Sequence, residues 1–433
     1  MGAQNKATGT PLRSSKLLHS DAINVLSEDE LLQPGNDAAA STSSYSNSSA
    51  DGYLTSTMTS PYDLSPWNSA AASPFAESPW TTHHLRHIPT SIGFVASLVR
   101  REGHVYSLAA AGDLLYTGSE SRNIRVWKGR EELSSFRSSS GLVKAIVVAG
   151  DRVFTGHRDG KIRVWRASSK DPSFHKRVGT LPTRAEFLRS SVNPSNYVEG
   201  RRRRRSALWL RHFDAVSCLS LDEGAGLLYS GSWDKTVKVW RISDFKCLES
   251  LNAHDDAVNA VATAGFDGLV FTGSADGTVK AWRREVAAQS KGGGGATRHV
   301  TVQTLIRQEG AVTALVVVAA AGAVYCSSSE GVVRYWRRER GGEPLSLGGA
   351  LWGHGMAVLC LAAAGSIVVS GSADGTVRVW RREKGGAHGA VAVLIGHEAP
   401  IKCLAVEEAA EEPRYVVYSG SLDNSVKIWR LAE

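Results

Sequence analysis

The sequence predicts an all-β protein, a seven-bladed β-propeller preceded by a disordered N-terminal tail. Three observations predict this fold. From residue 91 onward the chain repeats itself, the repeating unit is about 40–45 residues long, and each unit ends in a β-rich run closed by tryptophan. The closing residues are Trp127, Trp165, Trp240, Trp282, Trp336, Trp380 and Trp429. A unit of this length and ending is typical of one four-stranded propeller blade.

Each closing run has the pattern of a strand with one buried face. In TVKVW (236–240) and TVRVW (376–380), apolar residues alternate with Lys, Arg or Thr. This alternation, with a period of two residues, predicts strands. Regular turns, such as AAAGD (109–113) and VVAGD (147–151), lie between the first two strands of a unit.

Four repeats share four polar or aromatic residues at equivalent positions. These sets are His212, Ser230, Asp234 and Trp240; His254, Thr272, Asp276 and Trp282; His354, Ser370, Asp374 and Trp380; and His397, Ser419, Asp423 and Trp429. With the closing tryptophans they resemble the WD-repeat family over residues 91–433, and the resemblance implies that each set is a structural tetrad. Because the His–Asp pair recurs in four blades, we interpret it as a hydrogen-bond clamp rather than a catalytic dyad.

The other three repeats lack part of the tetrad. At the positions of the histidine and the aspartate they carry Arg101 and Ser121 in repeat one, Ser139 and a retained Asp159 in repeat two, and Gln308 and Glu330 in repeat five. Loss of a buried hydrogen-bond partner costs about 1–3 kcal/mol. The sequence therefore predicts that these three blades are looser than the other four.

Residues 91–99 are predicted to close the ring. This run, SIGFVASLV, reads as a strand without a blade of its own, and only four residues follow Trp429. We expect the run to supply the outer strand of blade seven, since closure removes exposed sheet edges. The propeller would then comprise residues 91–433.

Residues 1–90 are predicted to form a disordered, Ser/Pro-rich tail. Four Ser-Pro-aromatic triplets lie at 60–62, 65–67, 73–75 and 78–80. The aromatic residues are suited to anchoring in a partner's groove, and each Ser-Pro is a site for a proline-directed kinase. The alternative is a compositionally biased linker whose aromatic residues are incidental.

No motif in the sequence predicts catalysis. Cys218, Cys360 and Cys403 occupy one equivalent position that other repeats fill with alanine, so we interpret them as small core residues. There is no zinc-type spacing and no HExxH, GxSxG or phosphate-loop motif. We expect no catalytic residue, no cofactor and no metal, and hence no enzyme. The five cysteines and the absence of a secretory signal predict a soluble intracellular protein that does not enter a membrane.

One rim of the propeller is predicted to bind a protein partner. Loops that precede the first and third strands of each blade are free of the blade pattern and can therefore carry recognition residues. The predicted rim residues are Trp233, Phe213, Asp214, Asp255, Asp256, Arg158, Met356 and Leu422. An aromatic residue beside acids and an arginine has the composition of an interaction hot spot. The alternative is that Trp233 packs on a neighbouring loop.

Positive charge is concentrated in the repeats. Residues 1–90 carry four Lys/Arg against eight Asp/Glu, whereas the whole chain has a formal net charge of +8. A basic residue follows every closing tryptophan, which predicts a cationic collar on the face opposite the rim: Lys128, Arg166, Arg241, Arg283, Arg337, Arg381 and Arg430, with Arg284, Arg338 and Arg382 adding a second charge. The alternative is that these residues serve strand solubility.

A long basic insertion, predicted over residues 170–211, separates repeats two and three. Its run Arg201, Arg202, Arg203, Arg204 and Arg205 reads as a nuclear-import signal or a nucleic-acid patch. A solvated basic loop explains the run equally well.

The segment SSVNPSNYVE (190–199), the arginine run, RHFDAVSCLSL (211–221) and the Ser-Pro-Trp tail resemble the JINGUBANG-like plant WD-repeat proteins. This resemblance implies a regulatory scaffold that restrains pollen germination and tube growth and binds transcription factors, in the nucleus and the cytoplasm. We expect other proteins as partners and a monomeric ring. One alternative is a nucleic-acid-associated protein that uses the arginine run and the collar. A second, a ubiquitin-ligase substrate receptor, is disfavoured because the family's Trp-Asp-x-Arg docking box is absent.

Overall fold

The computed structural model describes residues 92–99, 103–168, 170–193, 197–200, 205–286, 297–339, 342–383, 385–409 and 415–432. The predicted tail with its Ser-Pro-aromatic triplets, and Arg101 and Arg201–Arg204, lie outside the described residues. Everything that follows concerns the described part of the chain.

The described residues form seven four-stranded antiparallel sheets, which we number as blades 1 to 7 in chain order. Blades 1 to 4 consist of β2 Val105–Ala111, β3 Leu114–Ser119, β4 Asn123–Lys128 and β5 Glu131–Arg137; β6 Val143–Ala149, β7 Arg152–His157, β8 Ile162–Ala167 and β9 His175–Leu181; β12 Val216–Asp222, β13 Leu227–Ser232, β14 Thr236–Arg241 and β15 Cys247–Asn252; and β16 Val258–Thr263, β17 Leu269–Ser274, β18 Thr278–Val286 and β19 Thr297–Arg307. Blades 5 to 7 consist of β20 Val312–Val318, β21 Ala323–Ser328, β22 Val333–Glu339 and β23 Gly342–Leu351; β24 Val358–Ala364, β25 Ile367–Ser372, β26 Val377–Arg382 and β27 His388–Leu394; and β28 Ile401–Glu408, β29 Tyr415–Ser421, β30 Ser425–Leu431 and β1 Ile92–Val99. The seven-bladed propeller predicted from the repeats is confirmed.

The first strand of each blade contacts the first strand of the next, which brings these strands to the centre of the ring. A glycine near the end of the second strand permits this approach in several blades. A Cβ on Gly156 would lie 2.8 Å from Val216 Cγ1, and one on Gly231 would lie 2.7 Å from Val258 Cγ1. Because real Cβ atoms do not come this close, a side chain at either of these two positions would push the next blade away.

The two ends of the propeller meet in blade 7. Strand β1 pairs with β30 in antiparallel register, with Gly93 opposite Arg430 and Leu98 opposite Val426. The Phe94 ring lies 5.3 Å from the Trp429 ring in an edge-on contact. Blade 7 also packs against β2 of blade 1, so the ring is closed and β30 is not an open edge.

Tyrosine–histidine hydrogen bonds join alternate pairs of neighbouring blades. In each, a tyrosine hydroxyl on a second strand meets a histidine Nε2 on the outer strand of the following blade. The pairs are Tyr116 and His175 at 3.1 Å, Tyr229 and His299 at 3.0 Å, and Tyr325 and His388 at 2.8 Å. These bonds tie the outer strand of one blade to the second strand of the blade before it.

The segment between blades 2 and 3 begins later than predicted. Strand β9 lies within the predicted insertion 170–211 but is the outer strand of blade 2, paired with β8. The added segment therefore starts at Pro182 and contains helix α1 Arg184–Ser191 and the hairpin of β10 Tyr197–Gly200 with β11 Arg205–Leu208. The Cys247 N–H of β15 donates to Glu186 Oε1 of α1 at 2.9 Å, so the helix is tied to the outer strand of blade 3.

Candidate partner-binding face

Four blades contain the same internal hydrogen-bond chain. The histidine Nδ1–H donates to the aspartate over 2.7–3.1 Å, and Nε2 lies 2.8 Å from the serine or threonine hydroxyl. The same hydroxyl accepts from the tryptophan Nε1–H over 2.8–3.0 Å. All sixteen residues predicted for the four tetrads take part in these chains.

The tetrad aspartates also fix the rim. One carboxylate oxygen of each aspartate accepts the backbone N–H of the residue after the histidine, at 2.8–3.2 Å. In blade 3 this residue is Phe213, and in blade 4 it is Asp255. The buried clamp therefore sets the conformation of the loops on which the predicted rim residues lie.

The tetrads are poorly suited to catalysis. Burial lowers the pKa of His212, and Ser230 is completely buried. Both ring nitrogens of His212 are already engaged, by Asp234 and Ser230. Burial raises the pKa of Asp234, but the charge and hydrogen bonds of His212 outweigh it and leave a net lowering. The dyad thus has neither a free base nor a hydroxyl open to substrate.

Arginine replaces the missing histidine in two blades. In blade 2, Arg163 donates to Ser139 Oγ at 3.0 and 3.1 Å and to the carboxylate of Asp159. In blade 5, Arg334 donates to Gln308 Oε1 at 2.6 Å and to Glu330 at 3.4 Å. Each arginine therefore links the residues at the histidine and aspartate positions, and the lower stability of these blades stays a prediction.

The sequence carries only a weak signal for this replacement. Each repeat without the histidine has arginine two places before its closing tryptophan, as Arg125, Arg163 and Arg334, but Arg378 holds the same place in the repeat that keeps its histidine. A guanidinium is long enough to span the gap and presents several donors at once.

The structure brings Arg158, Phe213, Asp214 and Trp233 together on one rim. A Cβ on Gly160 would lie 2.6 Å from the His212 carbonyl and 3.0 Å from that of Asp214, so the turn that follows Arg158 packs directly on the loop of blade 3. Phe213 is 44% exposed, whereas Trp233 is half-buried.

Asp255 and Asp256 lie on the neighbouring loop of blade 4, and both are exposed. Lys235, which follows the tetrad aspartate of blade 3, connects them to the Trp233 loop. Its ammonium group donates to the Asp255 carbonyl and lies 3.9 Å from the Asp256 carboxylate. We refer to Arg158, Phe213, Asp214, Trp233, Asp255 and Asp256 as the blade 2–4 rim.

Two predicted rim residues lie elsewhere. Leu422 was expected at an exposed loop tip, but it is 8% exposed, so that expectation is wrong. Its N–H donates to the Pro400 carbonyl, and its carbonyl accepts from His104 on the segment that leads into blade 1. Met356 is 57% exposed but belongs to the loop of blade 6, far around the ring from Trp233.

Sequence analysis missed the side chains at the bulge of each first strand. The ladder of every first strand shifts register at its second residue, which is Lys144 in blade 2 and Lys402 in blade 7. At this position Ser217 donates to the Val258 carbonyl of the next blade, whereas Lys144 reaches the ring of Trp233, with Nζ 4.2 Å from its centroid. In the sequence, this bulge position directly precedes the position at which Cys218, Cys360 and Cys403 were interpreted as small core residues. That adjacency is the signal from which the bulge residues could have been identified.

Half of the basic residues of the cationic collar have acidic partners. Five of its ten basic residues form ion pairs: Lys128 with Asp113, Arg166 with Asp151, Arg241 with Asp244, Arg284 with Asp222, and Arg338 with Asp267, at 2.6–3.3 Å. Most of these aspartates lie in the turns between first and second strands. The collar therefore presents less net charge than its composition indicates.

Within the described ranges, no group of three or more His, Cys, Asp or Glu side chains is arranged to hold a metal ion. No helix in the part of the chain that the structure describes is long and apolar enough to cross a bilayer. Arg205 starts strand β11, opposite Gly200.

Five segments of the chain match the family model of the WD domain, G-beta repeat: residues 95–128, 206–241, 245–283, 346–381 and 389–430. The chain contains WD40 repeats. The matched segments of this WD40 propeller leave out most of blades 2 and 5, the two in which Arg163 and Arg334 take over the clamp. Such propellers generally act as protein-interaction scaffolds.

One curated protein is similar to part of this WD40 propeller. Fifty residues are 48% identical to the CCR4-associated factor 4 homolog of Vanderwaltozyma polyspora, which corresponds to 11% of this chain and 8% of that protein. The likeness extends over about one repeat.

Proposed function

We propose that this WD40 propeller is a non-catalytic scaffold that binds its protein partner on the blade 2–4 rim. The observation that carries the proposal is the exposed Phe213 beside half-buried Trp233, on loops that buried aspartates hold in place. An aromatic anchor on a rigid loop loses little entropy on binding and is typical of hot spots. The carboxylates of Asp255 and Asp256 next to it supply polar contacts.

We further propose the regulatory role that the resemblance to JINGUBANG-like plant proteins implies. The partner would then be a transcription factor, the process pollen germination and tube growth, and the compartments the nucleus and the cytoplasm. The segment 190–199 and the Ser-Pro-Trp tail support this narrower proposal.

Nucleic-acid association is the weaker alternative. The ion pairs of the collar reduce the charge that a phosphate backbone would meet. The arginine run is then the main remaining support for nucleic-acid binding. A role as a ubiquitin-ligase receptor is disfavoured because this sequence lacks the docking box of such receptors. Co-purification of a ligase adaptor would be needed to favour that role.

Affinity purification from plant reproductive tissue with mass spectrometry tests the proposal. The wild type is compared with a Phe213→Ala/Asp255→Ala double variant and with a Phe174→Ala control, which removes a 58%-exposed phenylalanine from blade 2 away from the rim. We expect the double variant to lose a protein partner that the control retains. If the double variant retained every partner, the rim would not be the binding site. If partners were lost only on nuclease treatment, nucleic-acid binding would be favoured instead.

A further inference from the structure

Lys144 is held between two aromatic rings beside the rim. Its Nζ lies 4.2 Å from the centroid of Trp233 and 5.2 Å from that of Tyr106. Cation–π contacts of this kind orient an ammonium group but do not neutralise its charge. Trp233 and Tyr106 come from blades 3 and 1, so the lysine spans two blade boundaries.

The charges around Lys144 do not balance. Burial, with the like charges of Lys402 and Arg158, lowers the pKa of Lys144 to about 8, and only Asp214 acts in the opposite direction. Burial also lowers the pKa of Lys402. Within the described residues, neither lysine has a carboxylate within 4 Å. Both lysines are half-buried, and charges that are partly withdrawn from water are normally paired, because an unpaired one is costly to desolvate.

Two acidic residues beside Tyr106 and Lys144 already accept hydrogen bonds. Glu120 accepts a hydrogen bond from the Tyr106 hydroxyl at 3.2 Å. Asp214 caps its own loop by accepting the Ala215 N–H at 2.7 Å. We refer to Tyr106, Lys144, Arg158, Trp233 and Lys402 as the lysine cluster, a site where positive charge exceeds negative charge.

We propose that the lysine cluster binds an aspartate or glutamate side chain of the partner protein that contacts the blade 2–4 rim. This inference rests on the proposed function and adds the chemistry of the partner. An acidic side chain would pair with Lys144, where the positive charges of Lys402 and Arg158 add to the attraction, while apolar residues beside it would cover Phe213. The site thus selects a single acidic residue in an apolar segment.

A polyanion fits the same surface poorly. Asp214, Asp255 and Asp256 border the cluster, and two of them are exposed. A nucleic acid carries a charge at every phosphate and would meet these carboxylates along its length. A single carboxylate of a partner protein would avoid this repulsion.

Selection from a library of 12-residue peptides displayed on phage tests the inference on the intact protein. It is run on the wild type, a Lys144→Met/Lys402→Met variant, a Phe213→Ala variant and a Lys176→Met control, which removes an exposed lysine from the outer strand of blade 2. We expect an Asp or Glu at one fixed position in peptides selected by the wild type and the control, and no acidic preference with the double-lysine variant.

Fluorescence anisotropy then measures the selected peptide against versions with Gln or phosphoserine at the acidic position and against a 15-nucleotide single-stranded DNA. We expect the Gln version to bind at least 10-fold more weakly than the acidic peptide and the DNA to bind weakest. Equal affinity for the Gln version, or tighter binding of the phosphoserine version or the DNA, would overturn the inference.

Two further outcomes separate the proposals. Peptides that depend on Phe213 but carry no fixed acid, or that bind the double-lysine variant equally well, would overturn this inference and leave the proposed rim intact. Peptides insensitive to Phe213→Ala would count against the rim itself. The melting temperature provides a check on folding: we expect Lys144→Met/Lys402→Met to melt at or above the wild type, whereas a structural role for the lysines would lower it.

Discussion

Arg163 donates to both carboxylate oxygens of Asp159, at 2.6 and 3.1 Å, from a side chain that is only 3% exposed. In four other blades a histidine holds this aspartate. Burial alone would raise the pKa of Asp159, but the hydrogen bonds and charge of Arg163 lower it. Blade 2 is therefore held by an arginine–aspartate ion pair where four other blades use a histidine.

Replacing Arg163 tests this account of blade 2. We expect Arg163→Met to lower the free energy of unfolding by about 3 kcal/mol, because it leaves Asp159 without its cation in a partly buried site. Arg166→Gln, which removes an exposed arginine paired with Asp151, should cost less than about 1 kcal/mol. Urea denaturation measures both. Similar small losses in the two variants would mean that Arg163 is not a clamp.

Ser230 is the central group of the blade 3 tetrad, since its hydroxyl meets both His212 and Trp240. Ser230→Ala should lower the free energy of unfolding by about 1–3 kcal/mol, because two buried groups lose their partner. Ser97→Ala, which changes an exposed residue of β1, provides the control and should leave the free energy of unfolding nearly unchanged. Thermal denaturation of both variants decides the point. A neutral Ser230→Ala would show that the tetrad contributes little to stability.

Lys144 should make stability depend on pH in the alkaline range. Its pKa is about 8 in the folded protein against an ordinary value of 10.5, so between these values the unfolded chain binds the extra proton. The free energy of unfolding of the wild type therefore rises with pH in this window, by on the order of 2 kcal/mol from this group.

The Lys144→Met variant isolates that contribution. Relative to the wild type, it should be more stable at pH 7, and this advantage should shrink by pH 10. Urea denaturation at several pH values gives the difference directly. A constant difference across the range would rule out an unpaired, buried ammonium group at this position.

Strand β1 should be indispensable for the ring. Deletion of residues 92–99 removes the partner of β30 and the Phe94 contact with Trp429, and it exposes a sheet edge. We expect loss of the cooperative melting transition and aggregation by light scattering. Deletion of residues 1–80 keeps β1 and should leave the melting transition nearly unchanged. Equal damage from the two truncations would contradict the role of β1 in closure.

Much of the propeller could be read from the repeats because each tetrad lies within one blade. His212, Ser230, Asp234 and Trp240 fall at fixed spacings that a periodic pattern exposes. The burial of Leu422 could not be read in this way. It depends on His104, which precedes the first blade and covers the turn of the last one only after the ring closes.

The candidate site likewise combines residues that the sequence predicts with contacts that it does not predict. Phe213 and Trp233 were found from their places in the repeat, because loops outside the blade pattern carry recognition residues. The pairing of Lys144 with Trp233 joins residues of different blades, and so does the bond between Tyr229 and His299. A repeat pattern states what each blade contains but not which side chains meet across blades.

By itself, the sequence determined the number of blades, the four intact tetrads and the loops that form the rim, because local spacing dictates each of them. Only the tertiary structure decided that Arg163 and Arg334 link the positions of missing histidines and aspartates, that aspartates pair with half of the collar, and that Lys144 lies between Trp233 and Tyr106. These outcomes depend on distances and burial that exist only when the chain is folded. Burial and proximity, not composition, set whether a charge is paired.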